Sequence, residues 1–124
     1  MEGYSVKIRE VSRPITAKER VMLKDTTNAI SLDEVTQGAK FIFEPAYYAI
    51  LDVHNEKSED KDYVKYVIVD KAGTKLVTGS ESFFTSFVAI MDEMSECDEE
   101  FSIEAYRMPS KNYKGKEFIT CSIV

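Results

Sequence analysis

The stretch YVKYVIVDKAGTKLVTGSESFFTSFVAIMDEM, residues 63 to 94, decides the fold. Its opening run, Tyr63 to Asp70, is dense in β-branched and aromatic side chains that suit a pleated, partly buried surface, which predicts a strand. Lys71, Ala72 and Gly73 form a short connection in which Gly73 can take the positive φ that tight hairpins need, and Thr74 to Thr78 follows as the next strand. From Ser80 the period changes. Phe83, Phe87, Ile90 and Met94 recur at helical spacing, Phe84, Val88 and Met91 widen the stripe, and Ser80 or Ser82 supplies an N-cap oxygen. An amphipathic helix of about four turns is predicted.

Upstream, FIFEPAYYAILDVH (residues 41 to 54) alternates, with Phe41, Phe43, Tyr47, Ala49, Leu51 and Val53 on one face and Glu44, Tyr48, Asp52 and His54 on the other. This reads as one long strand, bent, bulged or at an edge where Pro45 lacks the N–H of a ladder. The polar run NEKSEDKD (55 to 62) is a loop. Downstream, Phe101 to Met108 and Glu117 to Val124 alternate again, placing Phe101, Ile103, Ile119, Cys121 and Ile123 inward. Three strands, one helix and two strands is the element order of an OB barrel. The expected fold is therefore mainly β: a five-stranded OB-type barrel over residues 38 to 124, with its helix between strands three and four. Residues 1 to 37 form an N-terminal extension, in which Tyr4 to Glu10 reads as a short strand and Ala17 to Lys24 has helix-forming composition.

A chain of 124 residues, 44% of them hydrophobic, with seven Tyr and seven Phe, builds one packed core rather than a disordered coil. It contains no apolar run of membrane-spanning length and no signal-peptide core, so no membrane is expected as a partner and the cytoplasm is the expected location. Cys97 and Cys121 lack a CxxC spacing and read as reduced thiols. With His54 the single histidine and no glycine-rich phosphate loop, no catalytic residue, metal or cofactor is expected. His54 beside Asp52 reads as a surface pair, and the carboxylates of residues 92 to 100 as a solvated helix end.

The net charge of -6 opposes a role in coating nucleic acid, where Lys and Arg neutralise phosphates. The charge is sorted, however. Residues 105 to 124 carry Arg107, Lys111, Lys114 and Lys116 against Glu117 alone, whereas residues 91 to 100 hold six acids and no base. A barrel of this type binds a strand by a cationic groove and aromatic platforms. The alternation points Tyr48, Tyr106 and Phe118 outward as platforms, with Tyr66 on a strand apolar on both faces and core packing the strong competitor for Phe118. In the hairpin Pro109 to Lys116, Tyr113 interleaved with Lys111, Lys114 and Lys116 suits a clamp on a flexible strand, and Lys65 and Arg107 extend the groove.

Two stretches, residues 63 to 94 and the C-terminal SKNYKGKEFITCSIV, resemble the single-stranded DNA-binding proteins of small tailed phages that use protein-primed replication in Gram-positive hosts. The likeness lies in a strand, an Asp, a small turn, a second strand and a Ser-opened helix, and then in a Ser-Lys-Gly turn before an aromatic-rich last strand. It implies a non-catalytic protein that coats and protects single-stranded DNA during phage replication in the host cytoplasm, with phage replication proteins as further partners. The alternative is an acidic phage protein-interaction module that inhibits a host nucleic-acid-processing protein, its carboxylates mimicking a phosphate backbone. A metal-dependent nuclease is disfavoured, since the acids lie in one solvated run rather than converging.

Overall fold

The structure, a computed structural model, describes residues 3–111 and 115–124. It is mainly β, with eight strands in two sheets and three helices. The elements are β1 (Tyr4–Val11), α1 (Ala17–Lys24), β2 (Ile30–Ser31), α2 (Leu32–Val35), β3 (Phe41–Phe43), β4 (Pro45–Asn55), β5 (Asp62–Asp70), β6 (Lys75–Thr78), α3 (Glu81–Met94), β7 (Ile103–Pro109) and β8 (Glu117–Ile123). One sheet has the order β1-β4-β5-β6-β2 and the other β3-β7-β8. Among the described residues no ladder closes these strands into the expected barrel.

The expected long strand over 41–54 is in fact two. Its first half, β3, pairs with β7, and its second half, β4, pairs with β1 and β5. The break falls at Glu44, beside the proline that has no N–H to offer a ladder. Two compact units follow from this division, one made of Met1–Ile30 with Ala46–Gly79 and the other of Ser31–Pro45 with Ser80–Val124.

In the first unit the N-terminal residues are part of the sheet. Strand β1 runs antiparallel to β4, with a bulge between Ile8 and Glu10. Helix α1 covers one sheet face: Leu23 is buried against Tyr47, Ala49, Leu51, Val53, Val67 and Val69, and Ile8, Val11 and Ile15 fill the margin. The helix is fixed at both ends. Thr16 and Glu19 form a reciprocal capping box, while the Lys75 ammonium donates to the carbonyls of Met22, at 2.7 Å, and of Asp25. The β5–β6 turn holds as its sequence suggests, with Gly73 at φ +88° and the Asp70 carboxylate accepting from the N–H groups of Ala72 and Thr74.

In the second unit α3 starts at Ser80, whose side chain accepts from the Phe83 N–H at 3.2 Å, and it packs on β8. Phe83 and Phe87 are fully buried, and the Phe87 ring lies 6.0 to 6.3 Å from the rings of Phe43, Phe83 and Phe84. Ile103, Ala105, Ile119 and Cys121 complete this core. Burial pushes the Cys121 thiol up to about 11, so it is inert at neutral pH, and Cys97 is exposed. Ile123 departs from the inward expectation at 47% exposure, next to the last residue of the described chain, although it pairs with buried Ile103.

Candidate nucleic-acid interface

Register fixes what the three-stranded sheet shows on its outer face. Because Ile103, Ala105, Ile119 and Cys121 are buried, the alternate residues Glu104, Tyr106, Met108, Phe118, Thr120 and Ser122 face the other way. Glu104 stands opposite both Ile42 and Ser122, Tyr106 opposite Thr120, and Met108 opposite Phe118. Ile42, Met108 and Phe118 are exposed, at 60%, 43% and 40%. Phe118 thus points outward, as the alternation predicts, rather than into the core.

Tyr106 is half-buried, and its hydroxyl hydrogen-bonds the Ser122 hydroxyl at 2.7 Å, which fixes the ring against the neighbouring strand. The Lys40 ammonium lies 5.6 Å from the ring centroid and 2.9 Å from Glu104 Oε1. That hydrogen bond to Glu104, reinforced by the carboxylate charge, raises the Lys40 pKa above its ordinary value. Lys40 and Tyr106 border a concavity of about 370 Å³ that also touches Arg107, Met108 and Glu117. Lys111 and Lys116 are exposed in the hairpin, which is closed by the Ser110 N–H donating to the Lys116 carbonyl at 2.9 Å. Tyr113 and Lys114 lie outside the described residues.

The other expected groove residues are placed differently. Arg107 sits opposite Ile119, and its Nη2 donates to the Asp33 carbonyl at 2.6 Å, while its buried Nε has no hydrogen-bond partner among the described residues. It borders the concavity but is tied to α2 rather than spread over the platform face. Tyr48, Lys65 and Tyr66 belong to the five-stranded sheet. The backbone of half-buried Tyr48 exchanges hydrogen bonds with Ser12 at 2.9 Å. Lys65 shares the α1 face with Val67 and Val69, its ammonium 3.4 Å from the Thr26 hydroxyl, and Tyr66 points to the opposite face. Lys65 and Tyr66 therefore do not line one groove.

A second charged hollow, of about 460 Å³, opens between β1, β4 and β5. Here Arg9 grips Asp52 through Nε at 3.1 Å and through Nη2. The expected pairing of His54 with Asp52 gives way to a bridge, with the imidazole 2.6 Å from Asp62 and 2.7 Å from Glu56. Lys61 reaches Glu56 at 3.3 Å. Hydrogen bonds to Asp62 and then Glu56 raise the His54 pKa, while the Arg9 hydrogen bond lowers that of Asp52. The charges of Arg9 and His54 are thus compensated locally, and Lys7 also lines the hollow.

Sequence reasoning missed Lys40, whose ammonium lies 5.6 Å from the Tyr106 ring centroid. It lies 66 positions from Tyr106 in the chain (106 − 40), and only the β3–β7 pairing brings the two together. All six acids between 92 and 100 are exposed, and among the described residues no group of three or more His, Cys, Asp or Glu is placed to hold a metal. No described helix is long and apolar enough to cross a membrane. Comparison with known protein families, curated proteins and solved structures finds no match.

Proposed function

We propose that this chain is a non-catalytic single-stranded DNA-binding protein that uses the outer face of the β3-β7-β8 sheet. The observation that carries the reading is the Tyr106 ring, its attitude fixed by Ser122, flanked by the Lys40 ammonium and beside exposed Met108 and Phe118. Such a surface offers successive bases a π-face and apolar contact, and the exposed Lys111 and Lys116 offer partners to the backbone. The order along the chain of β4, β5, β6, α3, β7 and β8 is the element order of an OB fold, which supports the reading. The resemblance of residues 63 to 94 and of the C-terminal stretch to phage single-stranded DNA-binding proteins supports the same reading, with phage replication as the proposed setting.

The test is fluorescence anisotropy with oligo-dT and with duplex DNA of equal length over a salt series. Selective binding of the single strand that weakens with salt is expected, and equal affinity for duplex, or a flat salt response, overturns the reading. The exposed acidic run over the end of α3 and the residues after it favours a second reading, in which the chain occupies the phosphate-binding cleft of a host nucleic-acid-processing protein. That reading predicts no shift with any oligonucleotide.

A further inference from the structure

Glu104 and Tyr106 are two residues apart on β7 and share its outer face, so the carboxylate is within reach of the edge of a base stacked on the tyrosine ring. The Glu104 side chain is only 17% exposed and Lys40, 68% exposed, holds it at Oε1. The carboxylate is therefore set low beside the platform in a fixed attitude. An ionised carboxylate has about four acceptor sites, and one ammonium hydrogen takes one of them. Acceptor capacity remains next to the ring.

We propose that Glu104 makes the Tyr106 platform prefer guanine within an otherwise sequence-tolerant binding surface, an inference that rests on the single-stranded DNA reading above. Guanine carries two parallel donors on its Watson–Crick edge, the ring N1–H and the exocyclic 2-amino group, which match the two oxygens of a carboxylate. Cytosine and adenine present one amino group beside a ring nitrogen lone pair that faces the carboxylate unfavourably. Thymine presents one N–H between two carbonyl oxygens. Only guanine gains a pair of charge-assisted hydrogen bonds without an opposing acceptor. Single-stranded bases are read in this manner when stacking leaves their edges exposed.

The experiment measures anisotropy with a labelled oligo-dT of about ten nucleotides, within the site size of one small domain. Companion oligonucleotides carry a single central dG, dA, dC or deoxyinosine, the last keeping N1–H but lacking the 2-amino group. One guanine per strand prevents quadruplex formation. The dG strand is expected to bind about tenfold tighter than oligo-dT, with deoxyinosine between them and dA and dC within about twofold of oligo-dT. Glu104→Gln, which keeps the side chain's size and an oxygen for Lys40, is expected to abolish the preference while retaining oligo-dT binding. Oligo-dT binding with no gain from dG, or equal binding of dG and deoxyinosine, overturns the guanine preference alone. A preference surviving in a natively melting Glu104→Gln removes Glu104 as its source. Failure of every single strand to bind overturns both this inference and the proposed function. The deoxyinosine comparison uses the unaltered protein, so it decides the guanine preference even if Glu104→Gln does not fold, and Glu104→Ala, which is expected to lose the same preference, then tests the carboxylate as its source.

Discussion

Replacing Tyr106 with Ala and with Phe separates its stacking role from its structural one. The phenol contributes a π-face and one hydroxyl bond, to Ser122 at 2.7 Å. Removing the ring costs about 1–3 kcal/mol of binding if a base stacks on it, or about 5- to 150-fold in Kd. Tyr106→Phe keeps the face and loses only the hydroxyl contact, about 1 kcal/mol of stability or roughly 3–5 °C in Tm for a domain of this size. Tyr47→Ala is the control. Tyr47 is 7% exposed within the first unit's core, so its truncation should cost about 3–5 kcal/mol of stability while the folded fraction binds normally. The assay pairs a thermal melt with oligo-dT anisotropy for each variant. The expected order of affinity is wild type, then Tyr106→Phe close behind, then Tyr106→Ala far below. If Tyr106→Ala melts early but binds as wild type, or if Phe loses as much affinity as Ala, the ring is not a platform.

Charge reversal at the two exposed hairpin residues Lys111 and Lys116 should weaken binding to all sequences alike and make the log–log salt slope shallower by about 1.4, at about 0.7 per phosphate contact on single strands; an unchanged slope in a salt titration removes the hairpin from the interface. Phe87→Ala empties a fully buried site among three other rings and should cost about 3–5 kcal/mol in urea denaturation; a loss below about 1 kcal/mol would show that the second unit's core can collapse around the gap. Since the His54 pKa is raised above its ordinary 6.5 by Asp62 and Glu56, the bridge supports folding fully below that value and loses its effect as pH rises through the higher folded value. Stability measured across about pH 6 to 9 should decline over that window more in wild type than in His54→Gln, and parallel profiles would refute the assignment.

What the sequence determines on its own is local. The spacing of Phe83, Phe87, Ile90 and Met94 specifies a helix, and Ser80 caps it, because period and capping depend on residues within a few positions of one another. The alternation of Tyr47, Ala49, Leu51 and Val53 specifies a buried face for the same reason, and all four are buried. The strand at 4–11 and the helix at 17–24 were also legible from composition, but not their destination. That β1 adds to β4, and that Leu23 buries itself on the same sheet, depends on which edge and which face remain open once the hairpin has formed. The site follows the same rule. Alternation was enough to turn Tyr106 and Phe118 outward, yet strand 41–54 reads as one element until Pro45 meets two different ladders. Only then does β3 carry Lys40 to Tyr106 and Glu104, and only then is Arg107 drawn to the Asp33 carbonyl. Pairings between residues far apart in the chain are set by competition among all available edges for backbone hydrogen bonds and apolar cover, and no local pattern records the outcome.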